Sequence, residues 1–134
     1  MELNDQSIKY LSEIARWATI LSVIGFIVIG LLIVVSFSVG TILANSPYSE
    51  MGISPQVLSI TYLIIAGVYF IPIFFLYQFG TKTKYAIDNN DTDLLTFGLK
   101  KLKSHYKFIG IVMLIAFGLN LLFLLIGMLT ALFV

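Results

Sequence analysis

The sequence has no cysteine, which excludes disulfides, thiolate metal sites, iron–sulfur clusters and haem attached through cysteine. It has one histidine, His105. No carboxylate or second histidine lies at ligand spacing from it, so no metal site is expected, and the residue reads as an interfacial histidine beside Lys103 and Lys107. Charge is scarce as well, at 11% of residues against roughly 25% in soluble domains. It is missing altogether from Trp17 to Ser49, from Met51 to Thr81 and from Phe108 to Val134. The seven carboxylates all fall outside those runs, so a proton relay through the spans and an acid–base pair for catalysis both lack their groups. No glycine-rich phosphate loop, nucleophile elbow or HExxH is present. These absences point away from an enzyme, a bound cofactor and a catalytic residue.

What is there is apolar: 59% of residues are hydrophobic. Each uncharged run exceeds the about 20 residues that a helix needs to cross a hydrocarbon core. The pattern predicts an all-α membrane protein whose single domain takes up residues 1–134, with spans at about 17–43, 57–79 and 108–133. Amphipathic interfacial helices are expected before the first and third spans. In the first, residues 5–17, Asp5 can cap the helix, Tyr10, Ile14, Trp17 and Leu21 recur at helical spacing, and Lys9, Glu13 and Arg16 take the other face. In the second, residues 91–107, Asp91 can cap a helix with Leu95, Leu99, Leu102 and Tyr106 on one face and Lys100, Lys103 and Lys107 on another. No breaker separates it from the third span, so one helix from Thr92 to Val134 is plausible.

All eight basic residues precede the first span or lie between the second and third. Under the positive-inside rule this places the N-terminus and the 80–107 connection in the cytoplasm and the C-terminus outside. Asn45-Ser46-Pro47 should end the first helix. Ala44-Asn45-Ser46 has small residues of the kind found at processing sites, but the preceding run is too long for a signal peptide and its leader carries acids, so cleavage is not expected.

Several residues stand out as packing features. Gly25 and Gly30 in span one, and Gly110 and Gly118 in span three, leave places where another helix can approach closely. Asn120 is the strongly polar side chain deep in a span, and should face a helix, with Ser59, Thr61 or a tyrosine hydroxyl as partner. Pro72 cannot bond the carbonyl of Val68 and should act as a hinge in the aromatic second span. Arg16, Lys100, Lys101, Lys103 and Lys107 are positioned to meet anionic lipid headgroups, a role that competes with setting topology alone. The basic stripe is short and flush with the membrane, so nucleic acid is not an expected partner.

The strings Tyr10-Leu-Ser-Glu-Ile-Ala-Arg-Trp17, Leu21-Ser-Val-Ile-Gly-Phe26, Tyr69-Phe-Ile-Pro-Ile-Phe-Phe-Leu-Tyr77 and Leu102-Lys-Ser-His-Tyr-Lys-Phe-Ile-Gly110 resemble an uncharacterised family of small bacterial inner-membrane proteins carrying a domain of unknown function. The resemblance covers most of the chain. It implies a bacterial cytoplasmic-membrane location and the same helical layout, and brings no activity with it. The residues favour a non-catalytic accessory or scaffold subunit that binds other membrane subunits or copies of itself. The alternative is a homo-oligomeric channel or small-solute transporter, with Asn120 lining a polar path.

Overall fold

The computed structural model describes residues 2–45, 52 and 54–134, with no side-chain description at 40, 43 and 44. Three helices make up the fold: α1 (Asp5–Ala44), α2 (Pro55–Asp88) and α3 (Thr92–Phe133). Each is long and apolar enough to cross a membrane, and no strand occurs among the described residues. The chain is therefore an all-α, multi-pass membrane protein, as its uncharged runs require.

The helix ends differ from expectation in ways that local chemistry explains. Asp5 is already helical, and the cap is Asn4, whose Oδ1 accepts from the Ser7 amide at 2.7 Å. The 5–17 segment is the first part of α1 with no break before the span, so it is not a separate interfacial helix. Helix α2 starts with Pro55 in its first turn, where a missing N–H costs nothing. It also runs on to Asp88, nine residues beyond the expected end at Phe79, because Thr81 to Ile87 contain no breaker. The connection expected over 80–107 thus shrinks to a tight turn at Asn89-Asn90-Asp91. Asn90 there takes φ 53°, a left-handed conformation that asparagine tolerates. Asp91 caps α3 as expected, its Oδ1 accepting from the Leu94 amide at 3.0 Å. The segment from Thr92 onward is one helix through to Phe133. The helix end expected at Asn45-Ser46-Pro47 lies, past Asn45, outside the described residues.

Helices α1 and α2 form an antiparallel hairpin in contact along its length. Ser59 Oγ donates to the Ser36 carbonyl at 2.6 Å near the end where α1 finishes and α2 starts, termed outer after the expected topology, the lysine-rich end being termed inner. Gly25 meets Ile73 midway, and Lys84 Nζ donates to Ser12 Oγ at 2.9 Å near the inner end. The buried residues of α1 are Ala15, Ala18, Ser22, Ile29, Ser36 and Val39. Their spacings of three, four and seven are those of a left-handed helix pair. Most are small, as expected where the solvent is itself apolar and close approach, not hydrophobicity, holds helices together. Between the small residues Phe26 inserts against Phe70 and Tyr77, with ring centroids at 5.7 and 5.6 Å.

Helix α3 packs on another side of α2, also antiparallel. Gly98 faces Thr83, and His105 lies against Pro72. Helices α1 and α3 both contact α2, and among the described residues no Cα atoms of α1 and α3 come within 8 Å of each other. The contact between α2 and α3 is confined to the inner part of α3. Every residue from Ile111 to Val134 is exposed.

Candidate functional site

Most of the functional residues indicated by the sequence fall into two groups on α3, one on its inner half and one on its outer half, with Arg16, Gly25 and Gly30 on α1 and Pro72 on α2. On the inner half, Lys100, Lys103 and Lys107 are exposed and Lys101 is partly covered. Lys101 Nζ sits 5.2 Å from the ring centroid of Phe97 and 5.6 Å from that of Phe75. Two rings in this position hold an ammonium through their negative faces. The ion pair found among the described residues is Lys84–Asp88 at 3.4 Å, one turn apart near the end of α2. The four α3 lysines therefore form no ion pair with a carboxylate among the described residues. Arg16 is exposed on α1.

On the outer half, the expected packing residues do not meet the rest of the chain. Asn120 was expected against another helix; it is exposed, and its Nδ2 donates to the Ala116 carbonyl of its own helix at 2.8 Å. The suggested partners are occupied elsewhere, Ser59 by Ser36 and Thr61 by the Val57 carbonyl at 2.7 Å. A side-chain carbon added at Gly118 or Gly110 would meet nothing within 4 Å, and the same holds for Gly30. Of the four predicted packing glycines, only Gly25 meets another helix: an added carbon there would lie 2.8 Å from the Ile73 side chain. The correction has one physical reason. The closest helix approaches fall where α2 crosses its neighbours near the inner end, and α3 makes no such crossing beyond Met113.

The close approaches sit at glycines that the sequence had placed in a connection or left unremarked. A carbon on Gly80 would lie 2.7 Å from the Ala15 carbonyl oxygen and 2.8 Å from the Thr19 amide nitrogen. At Gly98 it would run into Thr83 Oγ1. Thr83 is fully buried, and its hydroxyl oxygen has no hydrogen-bond partner among the described residues, as is also true of Gln78 Oε1.

His105 also departs from its expected role. It is 9% exposed, packed against α2, and its Nδ1 lies 2.6 Å from the Pro72 carbonyl oxygen. That distance requires the tautomer with hydrogen on Nδ1, which then donates to the carbonyl. Pro72 itself is buried in an unbroken α2. The position read as a hinge also serves as a docking point, at which α3 is fastened to the α2 backbone. The remaining signal that could have indicated this is the lone polar ring on the α2-facing side of α3, one heptad from Gly98.

The described residues hold no group of three or more metal-ligating side chains. No protein-family model matches the chain, and neither a curated protein nor a solved structure is significantly similar to it.

Proposed function

We propose that this protein is a non-catalytic subunit of a larger membrane assembly, which it joins through the outer half of α3. The observation that carries the reading is the unbroken exposure from Ile111 to Val134. An ordinary peripheral span of a bundle keeps one side against its neighbours, whereas beyond Met113, where α3 leaves the pocket it shares with α2, this one is exposed on every side among the described residues. It also presents the amide of Asn120, which in hydrocarbon gains from a partner. Open backbone at Gly118 and Gly127 lets a second helix come close beside it. The absence of any carboxylate from the three uncharged runs supports a non-catalytic role and weighs against ion-coupled transport.

The same reading sets the orientation. The lysines of Lys82 to Lys107 and the charged start of α1 lie at one end of the bundle, and the positive-inside rule puts that end in the cytoplasm. We place it in a bacterial cytoplasmic membrane on the resemblance of its sequence strings alone. Affinity purification in a mild detergent, followed by mass spectrometry, tests the subunit role. A stoichiometric membrane partner is expected, and Gly118→Leu should remove it while leaving the isolated protein folded. Recovery of a stable monomer without a co-eluting protein, together with solute flux in liposomes, would overturn the reading in favour of a transporter.

A further inference from the structure

Outward from His105, the seam between α2 and α3 leaves a cleft of about 550 Å³, a size usual for small-molecule sites. Ile65, Val68 and Pro72 line it on α2, and His105, Ile109 and Met113 on α3. Every lining residue except His105 belongs to the charge-free runs. The outer end lies where α3 parts from α2, so the cleft opens to hydrocarbon.

Two hydrogen-bond acceptors stand toward its inner end, and each has a structural cause. His105 uses its Nδ1–H on the Pro72 carbonyl, so Nε2 keeps its lone pair. Nε2 has no hydrogen-bond partner among the described residues, and it is not one of their enclosed unpartnered atoms, which are Gln78 Oε1 and Thr83 Oγ1. It therefore opens onto the space beside the ring. The second acceptor is the Val68 carbonyl. Its helical donor would be the N–H four residues on, at Pro72, and proline has none. Helix carbonyls point toward the C-terminus, so this oxygen is directed to the level at which the imidazole docks. Tyr69 also lines the cleft, and its hydroxyl bonds neither acceptor.

An acceptor surrounded by hydrocarbon gains from a donor. Acyl chains bring none, and the ester oxygens of a lipid are themselves acceptors. The cleft thus disfavours ordinary lipid tails, ketones and carboxylates, and favours an apolar body that carries a hydroxyl at one end. We propose that it binds a neutral, membrane-dissolved alcohol or phenol, whose hydroxyl donates to His105 Nε2 while its apolar body lies against Ile65, Ile109 and Met113. The site is inward of Gly118 and Asn120, so it stands or falls independently of the subunit role.

His105 is the only histidine, so nuclear magnetic resonance of protein labelled at the histidine nitrogens reports Nε2 without ambiguity. Met113 lines the cleft and Met128, farther out on α3, does not. Their labelled methyl signals separate occupancy of the cleft from general partition into the detergent micelle. The probes are para-octylphenol and its methyl ether, which differ chiefly in the hydrogen-bond donor. The phenol should shift Met113 saturably with Met128 unmoved, and should move the Nε2 signal upfield, as acceptance of a hydrogen bond does. The ether should bind about threefold to tenfold more weakly, the worth of one hydrogen bond, and leave Nε2 in place. His105→Phe, with folding checked by circular dichroism, should bring the two affinities together. Should that variant not fold, the Nε2 response of the unaltered protein decides the matter. Equal affinities for the two probes in the unaltered protein, equal responses of Met113 and Met128, saturation at Met113 with Nε2 unmoved, or a preference that a folded His105→Phe retains would each overturn the proposal.

Discussion

Adding a single methyl group to Gly80 should destabilise the bundle more than any other glycine-to-alanine change in α1 or in the outer half of α3. The added carbon would lie 2.7 Å from the Ala15 carbonyl oxygen, where ordinary contact begins at 3.4 Å, so α1 and α2 must part locally by about 0.7 Å (3.4 less 2.7). Both atoms that it meets most closely besides the Thr19 hydroxyl belong to backbone, which cannot swing aside as a side chain can. A gap of that size forfeits a quarter to a half of the dispersion energy across the nearby seam, and overpacking of this kind costs about 1–3 kcal/mol. Gly25→Ala should cost less, because the Ile73 Cδ1 atom that it meets at 2.8 Å is the tip of a flexible chain. Gly118→Ala should be neutral, since nothing lies within 4 Å. The assay is unfolding by increasing mole fraction of sodium dodecyl sulfate in mixed micelles, read by circular dichroism, with Gly118→Ala as the internal control. Equal stability of the Gly80 and Gly118 variants would refute the assigned helix crossing.

His105→Phe, which keeps the ring and removes the donor to Pro72, should lower stability by about 0.5–1.5 kcal/mol in the same assay. Asn120→Leu should leave the stability of the isolated protein unchanged, because the side chain bonds only its own helix; a loss above about 0.5 kcal/mol would show that Asn120 packs within the chain. With no native cysteine, single cysteines at Ser7, Ser104 and Val134 can be probed with an impermeant thiol reagent in intact cells. Val134→Cys should label and the other two should not, and labelling of Ser104→Cys would reverse the topology.

The three helices were legible because their signal is the absence of charge, which no neighbouring residue can mask. The Asp91 cap and the continuity of α3 were legible for similar reasons of local chemistry. The interfaces were not. In water a buried face is apolar and an exposed one polar, but the spans here are apolar all round, so polarity does not tell the α2-facing side of α1 from the lipid-facing side. Residue size does: Ala15, Ala18, Ser22 and Gly25 already follow a heptad, and that row marks the real seam. Gly80 was hidden because Lys82 and Lys84 follow it and make the segment read as a loop, although nothing there breaks a helix. Asn120 misled in the opposite direction, since a buried amide needs a partner but an exposed one can turn back onto its own helix. His105 was weighed only as a metal ligand or an interfacial residue, yet it had another role open to it, as donor to a carbonyl on the facing helix.

The register at His105 and Pro72 sets the two sides of the bundle at different heights. Lys107 lies two residues outward from His105, level with about residue 70 of α2, whereas the nearest cation on α2 itself is Lys82. Those about twelve residues correspond to about 18 Å along the helix axis, more than half of a hydrocarbon core of about 30 Å. The bilayer cannot meet both boundaries while flat. Around the α1–α2 hairpin the cytoplasmic headgroups can settle at the level of Arg16 and Lys82, but beside α3 they must rise toward Lys107 or the helix must lean to bring that lysine down. On this register the α3 flank calls for a thinner or more tilted bilayer than the α1–α2 flank does.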